Sequence, residues 1–276
     1  MRIDLHLHSH YSDGKATPAE TVRRAYAAGV QLLALTDHDT IGGLPDAEAT
    51  AHELGLGFIP GVEFTATLRG ADLHILGYFP AFPAGVVQQH LQRVQEFRRW
   101  RMDTALERLR QLGVQVERAD VPAVACCESV TTMHLAELLV QRGAASSARA
   151  ARRKYLMPGQ GIVEPFDLPA KEIIDVIHAG GGLAVWAHPS RHEVSEFFAN
   201  LLAEGLDGVE VRNPRRRSRF AYGWLCGKKK LLLTGGSDWH GEGQPGVDAD
   251  GLQLGPLLDW AQGKRKGKHE ERGIKP

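Results

Sequence analysis

Six apolar, strand-like runs in this chain each end on a histidine, an aspartate or a glutamate. The first is Ile3-Asp4-Leu5-His6-Leu7-His8, with Asp13 five residues further on. Side chains alternate faces along a strand, so His6 and His8 point the same way and can grip one metal ion. The other runs end on Thr36-Asp37-His38-Asp39, Gly61-Val62-Glu63, Asp72-Leu73-His74, Ala187-His188 and Gly236-Ser237-Asp238-Trp239-His240. A chain built this way needs a fold that gathers strand ends on one face. Barrels of alternating strand and helix do so, and their active residues sit at the C-terminal ends of the strands. The imidazoles and carboxylates outnumber what one ion needs, which points to a metal cluster and to hydrolytic chemistry.

The intervening segments have the rhythm that such a fold requires. Thr17-Pro18-Ala19-Glu20 is a capping box with proline at the first helical position, and predicts a helix to about Ala28 that Gly29 closes. Residues 32–36 form a continuous apolar run, as in a parallel strand buried on both faces. Pro45 opens a second helix, and strands follow over 58–62 and 73–78. The alternation stops between about Pro83 and Pro169. There, 88–112 reads as one long helix, with charge dense on one side (Arg93, Glu96, Arg98, Arg99, Arg101). After it come 121–127 and helical stretches over 132–142 and about 145–155. The rhythm resumes with a helix over 170–178, strands over 182–187, 208–211 and 231–234, and a helix from about Pro214 to Cys226. Seven parallel-type strands result. The expected class is α/β: an irregular seven-stranded (β/α)7 barrel over 1–82 and 169–262, a mainly helical insertion over 83–168, and a polar tail over 263–276.

Composition narrows the partners. The 276 residues are 43% hydrophobic, enough to fill a core of this size. Thirty-three basic residues balance thirty-three acidic ones, so no global field selects nucleic acid or an anionic membrane. No apolar window approaches membrane-spanning length, which predicts a soluble, cytoplasmic protein with no membrane contact and no obligate protein partner. Cys126 and Cys127 are adjacent, which disfavours a simple intrachain bridge, and nothing suggests a cysteine nucleophile.

A lone histidine is ordinarily a satisfied polar residue, and His10, His52, His90, His178 and His269 read that way. A single His-x-His is weak as well. The joint pattern of His6, His8, Asp13, His38, Glu63, His74, His188, Asp238 and His240 is different. Burying so many ionisable groups without metals costs several kcal/mol each, on the order of what desolvation exacts. Asp37 and Asp39 read equally well as residues orienting ligand histidines or as loop caps.

These motifs, in this order and over nearly the whole chain, resemble the PHP (polymerase and histidinol phosphatase) superfamily. Ala179-Gly180-Gly181-Gly182, Ala187-His188-Pro189-Ser190-Arg191 and Lys154-Tyr155-Leu156 are similar to its TrpH/YciV branch, whose members are 3′,5′-nucleotide bisphosphate phosphatases, some also 5′-to-3′ exonucleases on short RNA. The resemblance implies a trinuclear site. One ion would take His6, His8, Glu63 and Asp238; a second, bridging Glu63 with His74 and His188; a third, Asp13, His38 and His240. Two to three divalent ions are expected, with Mn²⁺, Fe²⁺ and Zn²⁺ all suited to mixed imidazole and carboxylate donors. Asp13, His38, Glu63, Asp238 and His240 are the expected catalytic residues.

A phosphate substrate also wants cations near the ions. Arg191 is best placed; His134, Lys154 and His192 are further candidates, although Lys154 also fits a solvated helix face. Thr132 stands where relatives carry an arginine two residues before the insertion's histidine, and Ser190 stands where they carry glycine. Gly161-Ile162-Val163 also departs from the family pattern. The expected function is hydrolysis of a nucleotide bisphosphate or a short 5′-phosphorylated RNA. Histidinol-phosphate hydrolysis is the alternative, and a non-catalytic metal-binding module a weaker one.

Overall fold

The apolar runs become the strands of one curved sheet in the computed structural model, which describes residues 1–121, 127–157, 159–214 and 231–261. The strands are β1 (Arg2–Leu7), β2 (Leu32–Leu35), β3 (Gly57–Leu68), β4 (Ala71–Tyr78), β5 (Leu183–Trp186), β6 (Gly208–Arg212), β7 (Leu232–Gly235) and β8 (Val247–Asp248). Their order is β7-β6-β5-β4-β3-β2-β1-β8. The expected seven parallel-type strands are corrected in two ways. An eighth strand of two residues pairs antiparallel with β1, and β4 runs against both of its neighbours. The reversal has a local cause. β3 continues past Glu63 to Leu68, and Arg69-Gly70, both at positive φ (53° and 81°), turn the chain in a two-residue hairpin. An apolar run such as 73–78 carries no sign of direction.

The sheet nearly closes on itself. Beyond β7, the Asp238 amide donates to the His6 carbonyl (2.9 Å) and the His8 amide donates to Trp239 (3.0 Å). This approach depends on Gly236, because a Cβ there would lie 2.3 Å from the His6 Cβ.

Helices α1 (Pro18–Ala27), α2 (Leu44–Glu53), α6 (Ala170–Ala179) and α7 (Arg191–Glu204) accompany the strands, and α8 (Pro256–Ala261) ends the described chain. The Thr17 capping box forms as predicted. Between β4 and α6 lie α3 (Val86–Gln111), α4 (Thr132–Gln141) and α5 (Ala148–Ala151), which runs into a wider turn over Arg152–Leu156. The expected helix over 214–226, most of 121–127 and the tail fall outside the described residues.

Two cores meet along α3. Its first turns send Val87 and Leu91 into the barrel cluster of Phe64, Ile75, Ile173 and Trp186. Its later turns send Met102, Ala105, Leu106 and Leu109 into a separate cluster with Leu135, Leu138 and Leu139 of α4. The charged side of α3 is not all solvated. Arg98 is 5% exposed, beneath the loop that follows β2.

Candidate metal centre

The strand ends converge on one carboxylate. Glu63 is 1% exposed and ringed by five imidazoles. Its Oε2 lies 3.1 Å from His6 Nε2, 3.1 Å from His8 Nε2 and 3.2 Å from His38 Nδ1. Its Oε1 lies 2.9 Å from His74 Nδ1 and 3.1 Å from His188 Nε2. Asp238 Oδ1 sits 3.5 Å and 3.4 Å from the same His6 and His8 nitrogens. Asp13 Oδ1 is 3.2 Å from His240 Nε2 and 3.8 Å from His38 Nε2. All nine expected ligands therefore come together, near or beyond the C-terminal ends of the parallel strands except for Glu63 within β3 and His74 within the reversed β4.

The donors fit divalent ions. His6 Nε2, His8 Nε2, Asp13 Oδ1, His38 Nδ1, Glu63 Oε2 and His74 Nδ1 are buried and make no well-aligned hydrogen bond, despite these short separations. Buried polar atoms are rarely left so. Lone pairs converging on a common cation have this geometry. The donor atoms of His6, His8, Glu63 and Asp238 lie within 4.8 Å of one another, as do those of His8, Asp13, His38 and His240, and those of His38, Glu63 and His74. Ligands about 2.1 Å from a shared ion stand at most about 4.2 Å apart, so each group is near a coordination span. The first group matches the expected set, the second adds His8, and in the third His38 joins where His188 was expected.

Charge confirms how tightly the groups are coupled. Burial alone would raise the Glu63 carboxyl, yet His6, His38 and His74 hold it well below the usual range. Burial would lower His8, but the Asp238 and Glu63 carboxylates carry it up to about 10. For His38 burial prevails and takes it down to about 3.

Neighbours fix the direction of the His6 and His240 rings. His6 Nδ1 donates to Glu210 Oε1 (3.2 Å), which turns its Nε2 lone pair toward the cluster. Glu210 also accepts the His188 amide (2.8 Å). His240 Nδ1 donates to the Asp238 carbonyl (2.8 Å), leaving Nε2 for Asp13. Asp37 touches no ligand directly; it accepts Ser9 N, Ser9 Oγ and Ser12 Oγ, and Ser12 Oγ lies 3.4 Å from His8 Nδ1. Asp4 binds Ser237 N and Oγ and so ties β1 to the loop that bears Asp238. Asp39, His188 and Asp238 hold positive φ without being glycine (47°, 33° and 55°), a strained backbone that such sites commonly carry.

Arg98 joins the insertion to this frame. Its Nε and Nη2 donate to Asp39 Oδ2 (3.0 and 2.5 Å), Nη2 also donates to Thr65 Oγ1 (2.8 Å), and Nη1 donates to Val130 O (3.1 Å). Asp39 follows His38, Thr65 lies two residues beyond Glu63, and Thr131 Oγ1 donates to Asp13 Oδ2 (3.2 Å). One side chain of α3 thus touches or adjoins three ligand-bearing segments. Sequence reasoning missed Glu210 and Arg98. The signal for Glu210 was a lone carboxylate inside the apolar strand Gly208–Arg212; Arg98 gave none beyond its charge.

A cleft of about 1710 Å³ opens over the cluster, with the insertion as its far wall. Of the four expected substrate contacts only His134 lines it, and its Nδ1 accepts the Thr131 amide (3.0 Å) as part of the α4 cap. Arg191 and His192 stand exposed in the first turn of α7, outside the lining, with His192 86% exposed beside Glu196. Lys154 lies over the Tyr155 ring and is likewise outside the lining. Ser190, at an ordinary φ of −78°, caps α7 and accepts the Glu193 amide. Burial pushes the Cys127 thiol up to about 12, which leaves no thiolate nucleophile there.

A family model described as PHP domain matches residues 4–147. The chain is 35% identical over 264 residues to a 3′,5′-nucleoside bisphosphate phosphatase of Chromobacterium violaceum, covering 89% of this chain and 90% of the relative. It is 37% identical over 271 residues to a 5′-3′ exoribonuclease of Haemophilus influenzae, covering 94% of each. Among solved structures, an amidohydrolase from Chromobacterium violaceum with bound sulfate and no metal superposes with a TM-score of 0.82 at 30% identity, over 96% of this chain and 97% of that one.

Proposed function

Because this chain belongs to the PHP domain family, we propose that it hydrolyses phosphoesters of nucleotides, either 3′,5′-bisphosphates or short 5′-phosphorylated RNA. It is a hydrolase of phosphoester bonds that depends on divalent metal ions. The observation that carries the reading is Glu63, a buried carboxylate whose two oxygens face five imidazoles. We assign His6, His8, Asp13, His38, Glu63, His74, His188, Asp238 and His240 as ligands for two to three ions of Mn²⁺, Fe²⁺ or Zn²⁺. Ions bound there would supply positive charge against the phosphoryl oxygens and a nucleophile at neutral pH. Hence no serine or cysteine nucleophile is needed.

The chain's own residues set the stage for that chemistry. Glu210 and the Asp238 carbonyl hold His6 and His240 in the tautomers that aim Nε2 inward. Thr131 holds Asp13 from the insertion side. Residues 1–82 and 169–262 then act as the ligand-bearing barrel, and 83–168 as the wall that shapes the substrate space. No helix among the described residues is long and apolar enough to cross a membrane.

Both relatives named above act, by name, on nucleotide or RNA phosphoesters, and the histidinol-phosphate alternative is not favoured. The test is a panel: Mn²⁺-loaded protein with adenosine 3′,5′-bisphosphate, 5′-mononucleotides, short 5′-phosphorylated RNA and histidinol phosphate. Phosphate or nucleotide release from the bisphosphate or the RNA is expected. Release from histidinol phosphate alone would contradict the reading.

A further inference from the structure

Four long cations among the described residues line the cleft, and they are not equivalent. Arg98 is paired with Asp39 and Lys15 with Glu242. Arg152 is exposed, so water serves it. Arg101 is partly buried and has no ion pair among the described residues. Its guanidinium lies 4.3 Å from the centre of the buried Phe166 ring, and its Nε donates to the Glu164 carbonyl (2.5 Å). The Glu164 carboxylate is taken by Arg108. No carboxylate of the described residues lies within 4.0 Å of Arg101, and its two terminal nitrogens have no hydrogen bond among those residues.

A partly buried guanidinium with no carboxylate beside it favours an anion. Withdrawal from water penalises the charge and takes Arg101 down to about 10, with Arg98 acting the same way and Asp72 and Glu164 opposing at longer range. The stacked ring and the Nε hydrogen bond fix the plane of the fork. The terminal N–H groups are thereby left preset for a bidentate acceptor, the geometry that phosphate offers. Both the metal-ligand cluster and Arg101 line one cleft, so a phosphate at Arg101 would share that cleft with one at the cluster.

We propose that Arg101 is the docking group for a second phosphate of the substrate, making the site selective for bisphosphates or internucleotide-linked phosphates over simple monoesters. This rests on the nucleotide phosphoesterase reading above. Thr132 lines the same cleft with no charge. Arg101 supplies a guanidinium from a different element, α3.

The test compares wild type, Arg101→Met and Arg101→Lys, all Mn²⁺-loaded, on adenosine 3′,5′-bisphosphate and on p-nitrophenyl phosphate, which has no second anion. The methionine variant should raise KM for the bisphosphate about tenfold more than for the monoester, with KM affected more than kcat, and lysine should recover part of the loss. Equal losses on both substrates, or none on the bisphosphate, would overturn the proposal. If the methionine variant does not fold, the lysine variant carries the same comparison with a smaller ratio. If the wild type hydrolyses neither compound, the nucleotide reading fails separately. Calorimetric binding of the bisphosphate then decides for Arg101: about tenfold weaker in the variant supports it, and equal affinity rejects it.

Discussion

The two walls of the cleft are built on different principles. On the barrel wall, the donors sit within strands (Glu63 in β3, His74 in β4), near strand ends or in the loops that follow, and backbone pairing with the next strand helps set their positions. Asp39 N to Glu63 O and Asp238 N to His6 O are examples. On the insertion wall, Arg98, Arg101, Thr131 and His134 are placed by how α3 and α4 roll against the barrel and against each other. The barrel wall collects donors for cations; the insertion wall offers cations of its own. In the proposed reading the chemistry belongs to the sheet and substrate choice to the helices, with Arg98 and Thr131 tying the two together.

The largest effect expected is at the centre of the barrel wall. Glu63→Gln should cost at least about a thousandfold in kcat, with loss of bound metal by elemental analysis, because one carboxylate faces five imidazoles. A variant that kept its metal and its rate would remove the barrel wall from the chemistry. Arg98→Met tests the joint between the walls. It strands Asp39 as a buried, unpaired carboxylate, and should destabilise the fold by about 3–5 kcal/mol in denaturant unfolding. A loss below about 1 kcal/mol would mean that the walls are joined elsewhere.

Leu139→Ala lies in the insertion's own core and should cost about 2–5 kcal/mol. The folded variant should keep its full metal content, and a fall in metal per chain would show the two walls to be inseparable. Glu210→Ala leaves the ligands but frees the His6 ring, so metal affinity should drop about 10- to 100-fold in chelator competition. Ser190→Gly should be the mildest, a few tenths of a kcal/mol in thermal unfolding, since serine serves there only as a helix cap.

The same contrast explains what could be read from the sequence. The alternation in Leu5-His6-Leu7-His8 fixes which face each side chain takes, so the gathering of the donors was legible in the sequence. Capping at Thr17 was legible too, because it is a local exchange of hydrogen bonds. The direction of β4 was not, since it follows from a two-residue turn of Arg69-Gly70, of which only the glycine advertises positive φ. Nor was the burial of Arg98 and the stacking of Arg101. Both belong to the charge-dense side of one long helix, and only packing of α3 on the barrel decides which of them is buried. Arg191, His192 and Lys154 show the reverse. Their closeness in sequence to ligand or basic motifs does not bring them into the cleft lining.

The central claim is that nine donors gathered by the sheet form one multinuclear site. Elemental analysis of the purified protein, after removal of loosely held metal, tests it most directly. Two to three divalent transition-metal ions per chain are predicted; one ion or none would contradict it.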